Sequence, residues 1–382
     1  MAEDDLLTPV VADDLLHQSF KTMLAARGYG PHRDTLREVW KAFPNPEGGF
    51  IGEFQTGHFD RRIWELYVFA LLHYGPFDVT RPNEQPDFLL KRKDVEVWVE
   101  ATTANPSKEH PVTEKKTTEE LINEMKEELP LRLGSPLYSK LKEKYWELPH
   151  VAGKPLVIAI GDFSQPAGVR HPDFALHRFL YGQDAKVVSL PGEVVKLETL
   201  KIDSHSAWKT IPSAFFTWEG AENISAVIFS NEGTLAKFGR MGFDFEKYPY
   251  VRMIRVGGCV DFDPTATYPK AFGYLVGDAP EDWGHGAYVY HNPRAVRPVP
   301  LDFFRGIGGQ HWMSQDGELH NEFRNFSPFS SLTVTFQAPA SLDKVPIDDA
   351  TLRKLAVVKA LQLEAENKKT LELHAWRHQF VT

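Results

Sequence analysis

The chain has one cysteine, Cys259, so no disulfide can form within it, and a reducing compartment is expected. Cys259 lies in an apolar stretch with no obvious histidine partner, which reads as a buried inert thiol. The paired Cys/His spacings of zinc sites are missing. No apolar run is long enough to span a bilayer, and the amino terminus is acidic (Met1-Ala2-Glu3-Asp4-Asp5) where a signal peptide would be basic and then apolar. A cytoplasmic protein without membrane association is therefore expected. The turn Gly48-Gly49-Phe50-Ile51-Gly52 lacks the Lys-Ser/Thr ending of a phosphate loop, which excludes a nucleotide-triphosphate motor of that kind. Basic charge is in deficit: 43 Lys and Arg against 52 Asp and Glu leave a net charge of -9, which argues against broad coating of nucleic acid but not against a local basic groove.

What is present is an ordinary globular composition. With 42% hydrophobic and 25% charged residues, 382 positions suffice for two domains or for one core with a large extension. Residues 13–43 read as largely helical, and a Gly-rich turn region follows with a short β element at 50–54.

Between residues 63 and 102 stand acids that folding alone does not explain. Glu65 is the only charge in W-E-L-Y-V-F-A-L-L (64–72), a helical run apolar on nearly every side and so expected to be buried. A buried carboxylate needs a cation or a donor, or it stays protonated. Glu65 is thus either kept for chemistry or placed for the helix dipole and an ion pair with Arg61 or Arg62.

Residues 86–90 and 95–102 read as strands joined by the polar tetrad Lys91, Arg92, Lys93 and Asp94, a hairpin. On the second strand Val95, Val97, Val99 and Ala101 share one face, and Glu96, Trp98, Glu100 and Thr102 the other. Glu96 and Glu100 are then roughly 13 Å apart, too far to share a metal, so one of them serves another purpose. An even hairpin loop puts Asp87 on the face of Glu100, opposite it or diagonal at about 7–8 Å, within reach of one divalent cation; an odd loop separates them.

The string Trp64-Glu65-Leu66-Tyr67, then Pro86-Asp87-Phe88, then Glu100-Ala101-Thr102 resembles the PD-(D/E)XK nuclease superfamily, over roughly residues 58–182. The resemblance implies an α/β fold: a restriction-endonuclease-like mixed sheet core flanked by helices. It also implies Asp87 and Glu100 as ligands of Mg²⁺ or Mn²⁺ and Glu65 as a third acid of the metal site. The usual lysine, two residues after the second acid, is replaced by Thr102, which the resemblance places, with Lys140 as the other candidate, near the attacking water. By the same resemblance the lysine is expected on a helix beside the active-site strand, and Lys140 is the choice. It lies in Arg132-Leu133-Gly134-Ser135-Pro136-Leu137-Tyr138-Ser139-Lys140-Leu141, which reads as a turn leading into a second helix through about Trp146. A solvated lysine among Lys142 and Lys144 is the alternative, and Lys91, Lys93 and Lys108 lie in the hairpin turn or beyond the strand.

Magnitudes favour a metal. Attack on phosphate esters requires lowering a barrier by roughly 20 kcal/mol or more, whereas one general acid or base supplies about 10²- to 10⁴-fold. Carboxylate oxygens are the hard donors that Mg²⁺ or Mn²⁺ prefers. The expected function is a metal-dependent nuclease hydrolysing phosphodiester bonds, with DNA ahead of RNA as substrate. The alternative is an inactive nuclease-fold protein that binds nucleic acid or a protein partner.

Four segments are expected: a helical N-terminal extension (1–57), the nuclease-like core (58–232), a β-rich C-terminal elaboration (233–340) and a final helix (341–382). In the core, the apolar run 155–160 reads as a strand buried in a sheet, and 171–181 as a helix. The clearest later strands are 224–229, which extends the sheet, then 251–256, 272–276, 287–290 and 332–336. Asp261, Asp263, His285, His291, His311 and His320 match no metal-ligand pattern and read as turn chemistry or hydrogen-bonded histidines. Lys237 and Arg240 read as solvated surface before a phosphate clamp; Trp283 or Trp312, if exposed, could stack bases, though at 12% aromatic residues most such rings must be core. The final helix, about 348–376, puts Leu352, Leu355 and Leu361 on one side, to pack on the body or form a homodimer seam.

Overall fold

Aromatic spacing decides how the chain enters its core. The computed structural model describes residues 5–372 apart from 45–47, 112–119, 121–122, 165–171, 188–196, 260–269, 309, 316–317, 324–325, 327, 340 and 342–346. Helix α1 (Gln18–Ala25) is capped by His17, whose ring nitrogen accepts the Ser19 N–H at 3.3 Å, and α2 (Gly30–Ala42) begins with Pro31 in its first turn, where no N–H is needed. The element expected as β at 50–54 is a helix, α3 (Phe50–Gln55). Phe50 and Phe54 are four apart, and both are buried: Phe50 against Trp40 and Phe43, Phe54 edge-on to Phe20. That helical spacing overrides the strand propensity of the individual residues. Gly49, at φ 93°, makes the turn into α3.

Helix α4 (Phe59–His73) is buried on nearly every side, as its unbroken apolar run predicts. Strands β1 (Asp78–Thr80), β2 (Phe88–Arg92) and β3 (Val95–Ala104) form an antiparallel meander. The β2–β3 turn is the two residues Lys93 and Asp94, with Lys93 left-handed at φ 55°, so the loop is even. A π-helical stretch (Glu124–Glu128) leads into α5 (Leu129–Lys142). The turn expected around Gly134 to Pro136 lies inside this helix. A Cβ on Gly134 would sit 2.8 Å from the Phe179 ring, so the glycine serves close helix packing, not a reversal.

Strand β4 (Leu156–Asp162) then runs parallel to β3, fully buried over most of its length, as the run 155–160 predicts. Helix α6 (Pro172–Tyr181) matches the expected 171–181, with His171 outside the described residues. Two hairpins follow, β5 (Gln183–Val187) with β6 (Leu197–Lys201), and β7 (Ser204–Ser206) with β8 (Thr210–Pro212). Strand β9 (Ala226–Ser230) pairs parallel with β4 and extends the sheet, and α7 (Leu235–Met241) follows it.

The remaining strands divide between two sheets. β10 (Val251–Cys259), β11 (Lys270–Leu275) and β15 (Pro328–Gln337) form a three-stranded antiparallel sheet. β12 (Ala287–His291), β13 (Gln310–Gln315) and β14 (Glu318–Phe323) continue the main sheet, whose order is β1-β2-β3-β4-β9-β12-β13-β14. That eight-stranded sheet therefore runs across residue 233, where the sequence reading placed a segment boundary. Helix α8 (Asp349–Glu372) packs Leu352, Ala356 and Ala360 on the small sheet, with Gly273 of β11 against Ala356. Leu361, expected on that packed side, is 60% exposed, because the buried stripe follows the i, i+4, i+8 row from Leu352.

The main sheet is mixed and lies between two helical layers. Val97, Val99, Val157, Ala159 and Ile228 face α2, α3 and α4, while Trp98, Leu156, Ile158, Ile160 and Phe229 face α5 and α6. Among the described residues no helix is long and apolar enough to cross a membrane.

Candidate active site

The even β2–β3 turn settles the placement of the first two acids. Its register pairs Phe88 with Val99, so Asp87, one residue before β2, stands opposite Glu100. The Asp87 N–H donates to Glu100 Oε2 at 3.2 Å, and Asp87 Oδ2 accepts the Ala101 N–H at 2.7 Å. Backbone and side chains thus lock the two carboxylates together at the opening of the hairpin.

Lys140 completes this group. It lies on the last turn of α5 between Leu137 and Leu141, whose side chains hold the helix against β3 and β4. Its Nζ donates to Glu100 Oε1 at 2.5 Å and to the Tyr145 hydroxyl at 3.1 Å, and Tyr145 donates to the same Oε1 at 3.0 Å. The Lys140 side chain is 22% exposed and that of Glu100 6%, so the lysine is the more accessible member of the pair. Tyr145 returns to Glu100 because α5 stops at Lys142 and Lys144 takes a left-handed φ of 50°, reversing the chain. Burial, and after it the Glu100 charge, push the Tyr145 phenol up, so it remains a donor.

Glu65 approaches from α4, the other side of the sheet. One of its oxygens is 2.5 Å from Arg62 Nη1 and the other 3.2 Å from Arg81 Nη1. Arg62 also holds Glu53 at 2.8 Å, and Arg81 reaches Asp87 Oδ1 at 3.5 Å. The ion-pair reading of Glu65 with Arg62 is thus what its contacts show. Both Glu65 oxygens face arginines, and Arg81 stands between Glu65 and Asp87. Among the described residues no group of three or more His, Cys, Asp or Glu side chains is set to hold a metal.

Burial pushes the Asp87 carboxyl well above the usual carboxylate range, and the charges of Glu100 and Glu65 push it further in the same direction. The Ala101 N–H and Arg81 oppose this without cancelling it. Thr102, two residues beyond Glu100, is half-buried and pairs in register with Ile160 of β4. Glu96, too far along β3 to join Glu100, pairs with Lys154 at 2.7 Å near the surface.

Arg81 and Tyr145 are the site residues that the sequence reading missed. Arg81 follows the three-residue strand β1 and precedes Pro82, a context that reads as loop, and Tyr145 sits beyond the end of α5, outside any helical spacing from Lys140. Neither carries a periodic signal.

Other expectations need correction. Lys237 and Arg240 are not solvated: both are buried with Arg255 around Glu232 and Glu281, with contacts from Lys237 to Glu281 at 2.7 Å and from Arg240 to Glu232 at 2.7 Å. Burial, and then the neighbouring arginines, lower Lys237 to about 8, while Arg255, Arg240 and Lys237 overcome the burial of Glu232 and hold it at about 2. Trp283 is buried against Tyr67 and Phe238 and offers no free face for a base, and Trp312 is half-buried with His177 against it. His311 bonds the Ile307 carbonyl at 2.8 Å, and His291 is buried and lowered to about 4, so these histidines read as structural. Asp261 and Asp263 lie outside the described residues. Cys259 is buried at the end of β10, as expected.

Compared with known proteins, the chain matches no family model, no curated protein and no solved structure.

Proposed function

We propose that this chain is a divalent-metal-dependent nuclease of the PD-(D/E)XK type that hydrolyses phosphodiester bonds, with DNA ahead of RNA, at Asp87, Glu100 and Lys140. The observation that carries the reading is the contact of Lys140 with Glu100 at 2.5 Å. A lysine 40 positions away reaches the acid whose own strand lacks one two residues on. The element order supports it: helix α4, the meander β1–β2–β3, the crossover α5 and the parallel strand β4 follow the order that the resemblance implies.

Asp87 and Glu100 are the two residues that would hold a divalent cation, which would share their oxygens with Lys140, Tyr145 and Arg81. Asp87 and Glu100 present hard oxygens close together; burial, and after it the charges of Glu100 and Glu65, raise the Asp87 carboxyl, and a bound cation would offset the charge repulsion. Glu65 does not fit in this arrangement and is read as a structural acid. When bound, the cation would neutralise phosphate charge and ease deprotonation of the attacking water. The residues themselves do the rest. Lys140, held by Glu100 and Tyr145, would present its ammonium to orient a water or a non-bridging phosphate oxygen. Asp87 and Glu100 are locked by backbone bonds, so their geometry is set before substrate arrives.

The reading is tested by incubating plasmid and single-stranded DNA with the wild type, Asp87→Asn and Lys140→Met in Mg²⁺ or Mn²⁺. Cleavage that falls by about 10²-fold or more in both variants supports it; cleavage indifferent to both substitutions removes it. A second reading, a nucleic-acid-binding protein without hydrolysis, is favoured by one observation: Glu65, Asp87 and Glu100 are each already met by a cationic side chain of the chain itself. DNA retention without cleavage at any divalent ion would select it.

A further inference from the structure

Strand β15 lies at the edge of the small sheet: among the described residues it pairs with β10 alone. The Ala338 N–H donates to the Tyr250 carbonyl at 2.9 Å, and from that pair the antiparallel ladder alternates. Leu332, Val334 and Phe336 therefore turn their backbone groups to β10, while Ser331, Thr333 and Thr335 turn theirs outward. Open donors and acceptors along an edge are a template for another strand, and proteins guard them with charge, short length or a covering element. The other edges of these two sheets are guarded in this way. β1 has three residues with Asp78 exposed, β14 carries the exposed Glu322, and β11 begins at the exposed Lys270 and has α8 packed on it. β15 runs for ten residues, Pro-Phe-Ser-Ser-Leu-Thr-Val-Thr-Phe-Gln, with no charge among them and its one proline at the first position. Helix α8 packs over β11 and β10, and on β15 Leu332 is left 47% and Val334 37% exposed. The opposite face of the strand is pinned: Ser331 Oγ donates to Glu232 at 2.5 Å, and Arg240 Nη1 donates to Thr333 Oγ1 at 2.8 Å. The open edge is thus held in place before any partner arrives.

We propose that β15 pairs antiparallel with β15 of a second copy of this chain across a two-fold axis, joining the two three-stranded sheets into one of six strands. The strand itself selects that occupant. A pair centred on Thr333 sets Ser331 against the partner's Thr335, so that the outward-turned residues meet as hydrogen-bonded pairs. The same register sets Leu332 against the partner's Val334, so that the four exposed apolar side chains meet on one face. An uncharged strand brings no like charge against itself, although the chain as a whole carries -9. This self-complementarity favours a second copy over a strand of other sequence. The pairing does not draw on the nuclease reading.

Sedimentation velocity of the full chain over a range of concentrations tests the pairing, and the wild type is expected as a dimer. Val334→Lys brings two like charges into the apolar strip, and Thr335→Pro removes an outward N–H that the ladder to β10 does not use. Each is expected to raise the dimer dissociation constant about tenfold or more, whereas Leu361→Lys, at an exposed position of α8, should leave it within about threefold. Thermal melting shows whether each variant is folded. Hydrogen exchange in the wild type gives a readout that needs no variant: on dilution the amides of Ser331, Thr333 and Thr335 should lose protection as the dimer dissociates, while those of Leu332 and Val334, bonded to β10, keep theirs. A wild type that is monomeric throughout, a dimer that both edge variants leave intact, or outward amides that exchange alike at every concentration would overturn the proposal.

Discussion

Neutralising Glu65 separates a structural acid from a catalytic one. The Glu65 side chain is 4% exposed and lies between Arg62 and Arg81, which are as deeply buried. Removing one partner of a buried ion pair costs about 3–5 kcal/mol, because the other charge is left uncompensated. Here Arg62 keeps Glu53, Arg81 keeps Asp87, and a glutamine still accepts one hydrogen bond, which reduces the expected loss for Glu65→Gln to about 2–3 kcal/mol. Urea unfolding at pH 7 without metal should show this as a lower midpoint with an unchanged slope. Cleavage by the protein that remains folded should fall by less than about tenfold, far less than the loss of a general acid or base would cause. If Glu65→Gln is instead as stable as the wild type and as inactive as Asp87→Asn, Glu65 is a metal ligand and its pairing with the arginines is incidental.

Other perturbations test the electrostatics and the packing. The raised Asp87 carboxyl binds its proton more tightly folded than unfolded, so stability is lost as pH rises from the ordinary 3.8 toward the folded value. Measured in chelator, Asp87→Asn should therefore gain stability relative to the wild type as pH climbs through that window; a difference independent of pH would contradict it. Glu232 is lowered to about 2, so its contribution is complete above the ordinary 4.5 and fades as pH falls from there toward 2. Glu232→Gln should cost about 3–5 kcal/mol at pH 7 and progressively less below pH 4.5, read from urea midpoints across pH. A Cβ on Gly257 of β10 would lie 2.0 Å from the Ser330 carbonyl oxygen, a backbone atom that cannot step aside. Gly257→Ala should thus destabilise by about 1–3 kcal/mol or more, and a neutral effect on thermal melting would contradict the pairing of β10 with β15.

Elements with a repeating signal were legible in the sequence. The buried helix α4 follows from an unbroken apolar run, and β4 from a short apolar stretch ended by Gly161 and Asp162. The facing of Asp87 and Glu100 was legible only up to a parity: alternation put Glu100 on a face, and the two-residue turn that puts Asp87 opposite it depends on Lys93 adopting a left-handed conformation. Lys140 was found through the resemblance, since nothing in its own neighbourhood distinguishes it from Lys142 and Lys144. Arg81 and the cluster of Glu232, Lys237, Arg240, Arg255 and Glu281 were not legible, because charge pairing across many residues leaves no local pattern, and a buried lysine and a solvated one look alike in sequence. The helix α3 was misjudged for a related reason: Phe50 and Phe54 favour strand taken singly, and only the helices packed against them make their four-residue spacing decisive.

The most direct test of the nuclease reading is the cleavage of a supercoiled plasmid by the wild type and by Lys140→Met in Mg²⁺, with thermal melting of both recorded in parallel. If Lys140 supplies the charge missing after Glu100, the wild type cuts and Lys140→Met, still folded, loses about 10²-fold or more of that activity. Wild-type protein that binds Mg²⁺ and plasmid yet leaves the DNA intact, or a Lys140→Met protein that cuts as fast as the wild type, would contradict it.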